Sequence, residues 1–171
     1  NHSQDATLNY LVNASNVRPT ELKDADIKTM ADFIKTMKTN PNIVAKNVSI
    51  DAWASPEGEL SKNENIATDR TKSAKSWIKG ELVKAKNDSA KADAFYTLTA
   101  QGEDWNGFKT AMQASTTVPD KELVLRVLEM YPDLAKREEE IKNMAATYKE
   151  IADQILPQLR RSGMKLNYQR I

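Results

Sequence analysis

The sequence predicts an α/β fold, an α+β sandwich in which helices cover a β-sheet, and three observations lead to this prediction. Four short segments alternate apolar and polar residues with the period of a β-strand. Segments with apolar residues at helical spacing separate the first three of these strands. A longer stretch of helical character precedes the fourth. The predicted order is therefore strand, helix, strand, helix, strand, helical insertion, strand.

The first strand and the first helix follow from local patterns. Residues 6–12, ATLNYLV, alternate and predict a strand. A helix is expected to begin near Thr20, which can cap it, and to end at Asn40-Pro41, because proline disfavours helical backbone in the preceding residue. The apolar residues of this helix are Ile27, Met30, Ile34 and Met37.

The second strand and the second helix lie on either side of a short loop at residues 55–58. Residues 46–54 predict the strand, with Val48, Ile50 and Ala52 on one face and Ser49, Asp51 and Trp53 on the other. The helix is expected from about residue 61 to about residue 86. Its apolar stripe comprises Ile66, Ala74, Trp77 or Ile78, and Leu82.

The rest of the chain completes the sheet around an insertion. A third strand is predicted within residues 94–105, ending at Gly102. A helical insertion follows at about residues 104–158, and the alternation of Met164, Leu166 and Tyr168 predicts the last strand. Because the sequence has no internal repeat and no low-complexity linker, we expect a single domain spanning residues 1–171.

Composition excludes several classes of function. The 25 basic and 24 acidic residues nearly cancel, so nothing in the overall charge favours binding to nucleic acid. With no cysteine and only one histidine, His2, the chain lacks a thiolate nucleophile and a histidine-based metal site, and no cofactor is expected. No apolar run approaches the roughly 18 residues of a membrane-spanning helix, so direct membrane insertion of this segment is not expected. Because no catalytic motif is present either, we do not expect an enzyme.

Arg70 is the first candidate for a functional residue. It lies four positions after Ile66 and four before Ala74, on the stripe that should face the sheet. A buried guanidinium must reach a carboxylate, backbone carbonyls or a ligand anion, because a desolvated and unpaired charge is costly. A structural ion pair, or a side chain that extends back to water, is the simpler interpretation.

Other candidates surround the loop. Asn63 lies in the first turn of the second helix, where capping or solvating the helix end is the simpler role. Asp51 shares a strand face with Trp53 and either pairs with a base or is solvated. Arg160-Arg161, before the last strand, are explained equally well by favourable placement at a helix carboxyl end.

Residues 48–78 resemble the central motif of the OmpA-like, peptidoglycan-binding domain family. That motif is a strand, a loop with Thr-Asp and a glycine, an Asn, and an Arg on the following helix. The residues at matching positions are Trp53, Gly58, Asn63, Ile66 and Arg70. The segments LTAQGED and RRSGMKLNY are similar to the third and closing strands of the family. The insertion resembles a longer variant found in envelope proteins of anaerobic Gram-negative bacteria.

The resemblance implies a clamp for the diaminopimelate residue of the peptidoglycan stem peptide. In the family, the loop Asp binds the ammonium group and the helix Arg binds the carboxylate. Arg70 matches that Arg, Asn63 matches the family Asn, and Arg160 or Arg161 matches the terminal Arg.

The chain departs from the family at the loop, where Ala54-Ser55 replaces Thr-Asp. A serine accepts a hydrogen bond from an ammonium group but supplies no charge. Losing a charge-assisted contact typically costs about 1.5–3 kcal/mol, which is roughly one to two decades in affinity. Glu57 or Asp51 is available to compensate for the missing carboxylate.

Two functions are therefore expected. The first is a peptidoglycan-binding domain in the periplasm that tethers an outer-membrane protein to the cell wall, attached through a part outside this sequence, which begins at Asn1 without Met. It predicts that Arg70 is accessible to an anion. The second is a degenerate OmpA-like scaffold that binds an envelope protein partner. It predicts that a protein carboxylate sequesters Arg70 and that the insertion carries the larger exposed apolar patch.

Overall fold

The computed structural model describes residues 2–57 and 60–171. The strands are β1 (His2–Asn9), β2 (Ile43–Ala54), β3 (Tyr96–Glu103) and β4 (Arg161–Arg170). The helices are α1 (Ala25–Thr39), α2 (Leu60–Lys84), α3 (Trp105–Ala114), α4 (Lys121–Met130), α5 (Leu134–Lys142) and α6 (Ala145–Gln154). Short 3-10 turns occur at Glu21–Lys23, Asp88–Lys91, Asp93–Phe95 and Leu156–Leu159.

The strands form one four-stranded sheet in the order β1-β4-β2-β3. β2 and β3 are parallel, since α2 returns the chain across the sheet between them, whereas β4 is antiparallel to both of its neighbours. This arrangement is the strand–helix–strand–helix–strand core, with a helical insertion before the last strand, that the sequence predicts.

Helices α1 and α2 cover one side of the sheet, which we call the inner face. Alternate strand residues point to this face, because side chains alternate along a strand. The strand residues in this core include Ala6, Leu8, Val48, Ile50, Met164 and Leu166. The helix residues packed on them are Ile27, Met30, Ile34, Ala74, Ile78 and Leu82. The apolar stripes predicted for both helices are thus confirmed at these positions, while Met37, Ile66 and Trp77 are only partly buried.

The insertion has a hydrophobic cluster of its own. Its main buried members are Phe108, Met112, Val124, Val127, Ile141, Ile151, Ile155 and Leu156. Asp104 accepts a hydrogen bond from the Gly107 amide and so caps the start of α3. Helices α3–α6 and the turn at Leu156–Leu159 therefore pack on one another rather than lying as an extension of the sheet core.

Two predicted boundaries at the first strand and helix were wrong. β1 ends at Asn9, and although Tyr10 is buried, Leu11 and Val12 are 54% and 47% exposed. The register with β4 ends where Asn9 faces Arg161, and the Tyr10 amide donates one more backbone bond, to the Arg160 carbonyl oxygen. Thr20 precedes the short turn at Glu21–Lys23, and Asp24 is the residue that precedes α1.

The start of β3 also differs from the prediction. Residues Asp93–Phe95 form a 3-10 turn, so pairing with β2 begins at Tyr96, which lies beside Val48. The strand then continues to Glu103, one residue beyond Gly102, whose positive φ of 74° suits a glycine. Gly58, which matches the glycine of the family loop, lies outside the described residues.

Candidate functional site

Five of the predicted site residues converge where β2 and α2 meet the start of β4. They are Ser55, Glu57, Asn63, Arg70 and Arg160, and we call this group the inner corner. Ser55 and Glu57 follow the end of β2, and Asn63 and Arg70 lie on α2. Arg160 immediately precedes β4 and points to the inner face, like Ser162 two residues later.

Arg70 lies on the sheet-facing stripe, as predicted, but it is not accessible. Only 1% of the residue is exposed, and its guanidinium donates to three backbone carbonyl oxygens. Nε donates to Ala14 (2.9 Å), Nη1 to Trp53 (2.8 Å) and Nη2 to Leu11 (3.2 Å). The expectation of an arginine open to an anion was therefore wrong. The expectation of a carboxylate partner was wrong too. Backbone carbonyl oxygens from the segment after β1 and from the end of β2 accept the hydrogen bonds of the guanidinium in its place.

Tyr10 completes the surroundings of Arg70. The guanidinium carbon lies 5.0 Å from the centre of the Tyr10 ring, a cation–π distance. The Tyr10 hydroxyl lies 2.9 Å from the Ser162 hydroxyl and donates to the Arg70 carbonyl oxygen at 3.2 Å. Burial lowers the pKa of Arg70 to about 10, against an opposing effect of Tyr10, so the guanidinium is still charged at neutral pH. Arg70 thus joins three segments of the fold as a buried cation.

Glu57 and Arg160 form the charged part of the inner corner. Arg160 Nη2 lies 3.4 Å and 3.5 Å from the two Glu57 carboxylate oxygens, and Nε donates to the Ser55 hydroxyl at 3.3 Å. The side chains are 12% and 17% exposed for Arg160 and Glu57, so solvent reaches both partners. These distances are long for a charge-assisted pair, for which about 2.7–2.9 Å is typical.

Asn63 anchors the loop rather than solvating the helix end. Its amide nitrogen donates to the Glu57 carbonyl oxygen at 2.6 Å and to a Glu103 carboxylate oxygen at 2.8 Å. Because Asn63 is buried, the interpretation that it solvates the helix end was wrong. Burial raises the pKa of Glu103, against the hydrogen bonds from Asn63 and Trp105 that lower it.

Arg161 and Asp51 lie on the opposite, outer face of the sheet. Arg161 pairs with the Asp104 carboxylate, and its guanidinium carbon is 4.1 Å from the centre of the Trp53 ring. Asp51 accepts a hydrogen bond from the Gln101 side chain at 3.1 Å. Asp51 stays partly exposed to solvent, as one of its two predicted roles requires, and no basic partner for it is found among the described residues. Within the described part of the chain, no contact joins Asp51 to the inner corner.

The insertion approaches the inner corner through α5 and α6. The hydrogen bond that Lys142 donates to the Glu138 carboxylate is the main cause of a raised pKa at Lys142, and the charge of Glu57 adds a smaller contribution. Glu57 also contributes at Tyr148, where burial is the larger cause of the raised pKa. The Glu57 carboxylate thus acts electrostatically on one side chain of α5 and one of α6.

The sequence did not single out Tyr10 or Glu103 as site residues. Tyr10 follows the alternation of β1 onto the inner face, and a buried tyrosine hydroxyl generally finds a hydrogen-bond partner, so this position carried a usable signal. Glu103 carried none, since its contact with Asn63 joins residues 40 positions apart.

Two negative findings apply to residues 2–57 and 60–171. No helix in these ranges is long and apolar enough to span a membrane. The same ranges contain no group of three acidic, histidine or cysteine side chains placed to hold a metal ion.

Comparisons with known proteins give the following matches. No family model matches the sequence, and no curated protein matches it. Among solved structures, the peptidoglycan-associated lipoprotein from Burkholderia pseudomallei is similar, with 12% identity, a TM-score of 0.44, and coverage of 95% of this chain and 89% of that one. The OmpA-like domain of FopA1 from Francisella tularensis subsp. tularensis SCHU S4 is also similar, with 8% identity, a TM-score of 0.43, and coverage of 98% and 77%.

Proposed function

We propose that this chain is an OmpA-like domain of the bacterial cell envelope that binds the charged end of a peptidoglycan stem peptide at the inner corner. The observation that carries the proposal is the Glu57–Arg160 pair, which is partly exposed and lies beside Ser55. The pair brings the Glu57 carboxylate, on the loop that lacks the family's aspartate, together with the Arg160 guanidinium that precedes β4. The proposed role of the domain is a non-catalytic tether in the periplasm, joined to the outer membrane through a part outside this sequence.

The ligand we propose is zwitterionic, as the free end of diaminopimelate is. Its ammonium group would be bound by Glu57 and its carboxylate by Arg160. Each of these two side chains would then replace its long contact with the other by a shorter contact with the ligand. Charge-assisted hydrogen bonds of this kind are worth about 1.5–3 kcal/mol each when well formed. Ser55 adds a hydroxyl next to Arg160.

Arg70 has a supporting role in this proposal. Its three bonds to backbone carbonyls leave it unable to reach a ligand without breaking contacts to the segment after β1 and to β2. It holds the end of β2, from which Ser55 and Glu57 extend. Arg70 also adds a nearby positive charge that favours a ligand carboxylate.

Calorimetric titration with a diaminopimelate-containing stem peptide tests the proposal. We expect saturable binding that weakens at least about tenfold in Arg160→Gln, which corresponds to about 1.4 kcal/mol. Arg161→Gln is the matched control, because the same residue type one position later lies on the outer face. A stem peptide with lysine in place of diaminopimelate lacks the second carboxylate and should bind the native chain as weakly as Arg160→Gln binds the full ligand.

Two results would contradict this function. One is the absence of heat with a chain whose circular dichroism shows an intact fold. The other is equal loss of binding in Arg160→Gln and Arg161→Gln, which would place the ligand elsewhere or show a general effect on stability.

One observation favours the second candidate, a protein-interaction domain on the same scaffold. The arginine that matches the family's ligand-binding residue is buried and bonded to backbone, so the original site is closed. The insertion does not carry the larger set of exposed apolar side chains in the described residues, since Leu123 and Met130 belong to it and Leu11, Val12, Leu22, Val83 and Leu98 do not. The same titration separates the two candidates, because the protein-interaction domain is expected not to bind the stem peptide.

A further inference from the structure

The two edges of the sheet differ in how their backbone is protected. In the described part of the chain, the order β1-β4-β2-β3 leaves one side of β1 and one side of β3 without a neighbouring strand. An unpaired strand edge presents backbone N–H and C=O groups that can pair with a strand of another molecule. Proteins commonly block such edges with charged residues, proline or covering elements.

The β1 edge is blocked by carboxylates. The Thr7 amide donates to Asp26 at 2.8 Å, and the Asn9 amide donates to Glu21 at 2.7 Å. Asp5 adds a charge in the middle of the strand. A further strand could pair with residues 7–9 only by displacing these carboxylates.

The β3 edge has no such protection. Residues 97–101, Thr-Leu-Thr-Ala-Gln, are all exposed and include no charge and no proline. Within residues 2–57 and 60–171, the backbone of this segment bonds only in the sheet, with no hydrogen bond from a side chain or loop. Leu98 points to the inner face at the margin of α2 and is 37% exposed.

We propose that β3 pairs with β3 of a second copy of this chain, antiparallel and centred on Leu98. In this register Leu98 faces Leu98 of the second copy, Thr97 faces Thr99, and Tyr96 faces Ala100. Apolar residues then meet on the inner face and threonines meet on the outer face, and both kinds of cross-strand pair are favourable. The two sheets become one eight-stranded sheet.

Three features favour a second copy as the occupant. The edge is uncharged and the chain has a net charge of only +1, so two copies approach without strong repulsion. The register above is self-complementary, as a two-fold interface requires. Because the β1 edge is blocked, the assembly closes at two copies and does not continue into a fibre.

An irregularity limits the extent of the pairing. Ala52 faces Ala100 and Trp53 faces Gly102, so Gln101 has no partner on β2 and forms a bulge. Regular pairing across the free edge is thus confined to residues 96–100. An interface this short gives a weak and reversible dimer, consistent with the marginal stability of isolated strand pairs.

Sedimentation velocity over a series of protein concentrations tests the proposal. The native chain is expected to pass from monomer to dimer as the concentration rises. Leu98→Lys should raise the dissociation constant at least tenfold, because it places two like charges opposite each other. Leu123→Lys is the matched control, since Leu123 is an exposed leucine on α4, and it should leave the dissociation constant unchanged.

Oxidative cross-linking tests the register. The native chain has no cysteine, so Leu98→Cys introduces a single thiol on each copy. We expect it to form a disulfide-linked dimer at least tenfold faster than Leu123→Cys on mild oxidation. A native chain that stays monomeric at all soluble concentrations would overturn the proposal. A dimer that survives Leu98→Lys, or equal cross-linking rates for the two cysteine variants, would overturn it as well.

Discussion

Arg160 and Arg161 are adjacent in the chain, yet they serve opposite faces of the sheet. Arg160 points to the inner corner, where it contacts Glu57 and Ser55 beside the buried Arg70. Arg161 points to the outer face, where it stacks on Trp53 and pairs with Asp104 at the start of the insertion. Two adjacent residues at the start of one strand therefore have different roles. The inner arginine borders a candidate site, and the outer arginine attaches the insertion to the sheet.

The largest effect that this comparison predicts belongs to Arg70. Arg70→Met would leave three backbone carbonyls without their donor, and we expect it to lower the free energy of unfolding by about 3–5 kcal/mol. Urea denaturation monitored by tryptophan fluorescence measures this loss. Arg126→Met, at an exposed position on α4, is the control and should change stability by less than about 0.5 kcal/mol. A loss under about 1 kcal/mol for Arg70→Met would mean that the three carbonyls find other donors.

A smaller effect is expected on the outer face. Arg161→Gln removes the contact with the Trp53 ring and the ion pair with Asp104, a buried residue at the start of the insertion. We expect a loss of about 1–2 kcal/mol in the free energy of unfolding, with stem-peptide binding retained. If thermal unfolding showed no change, the attachment of the insertion would rest on its apolar contacts alone.

The inner arginine should affect stability less than the outer one. Arg160→Gln removes a long, partly exposed ion pair, and such pairs are worth about 0–1 kcal/mol. The same denaturation experiment compares the two variants directly. If Arg160→Gln lowers the free energy of unfolding more than Arg161→Gln does, the roles given to the two arginines are wrong.

The smallest expected effect is a pH dependence at Glu103. Burial raises its pKa, so the folded state binds this proton more tightly than the unfolded state does. The proton therefore stabilises the fold below the ordinary value of 4.5, and this contribution is lost as the pH rises through the folded pKa. Glu103→Gln should flatten the slope of stability against pH in that window, with the exposed Glu122→Gln as control. An unchanged slope would show that other groups cause it.

Local patterns in the sequence predicted most of the fold but not its ends. The buried residues Val48, Ile50 and Met164 follow the predicted alternation because a strand fixes which side chains share a face. The end of β1 at Asn9 was missed, since the alternation runs on to Val12 and only the extent of pairing with β4 ends the strand. The 3-10 turn before β3 was missed because only the extent of pairing with β2 decides where this strand begins.

The candidate site was predicted in part. Burial of Arg70 follows from its position on the helical stripe. The expectation that Arg70, Asn63 and Ser55 lie together came from the resemblance of residues 48–78 to a family motif. The position of Asp51 and Arg161 on the outer face, away from the inner corner, follows from the alternation of side chains along a strand. Asp51 and Trp53 share a face, so the sequence held this information, whereas the Asn63–Glu103 contact required the folded chain.

By itself the sequence determined the order of strands and helices, the faces that they bury and the place of Arg70 on α2, because these depend on residues only a few positions apart. Only the tertiary structure decided what Arg70 binds, since its carbonyl partners at Ala14 and Leu11 lie 56 and 59 positions away. It also decided that Glu57 meets Arg160, across 103 positions. Such contacts exist only after burial has brought distant segments together and each buried polar group must find its nearest partner.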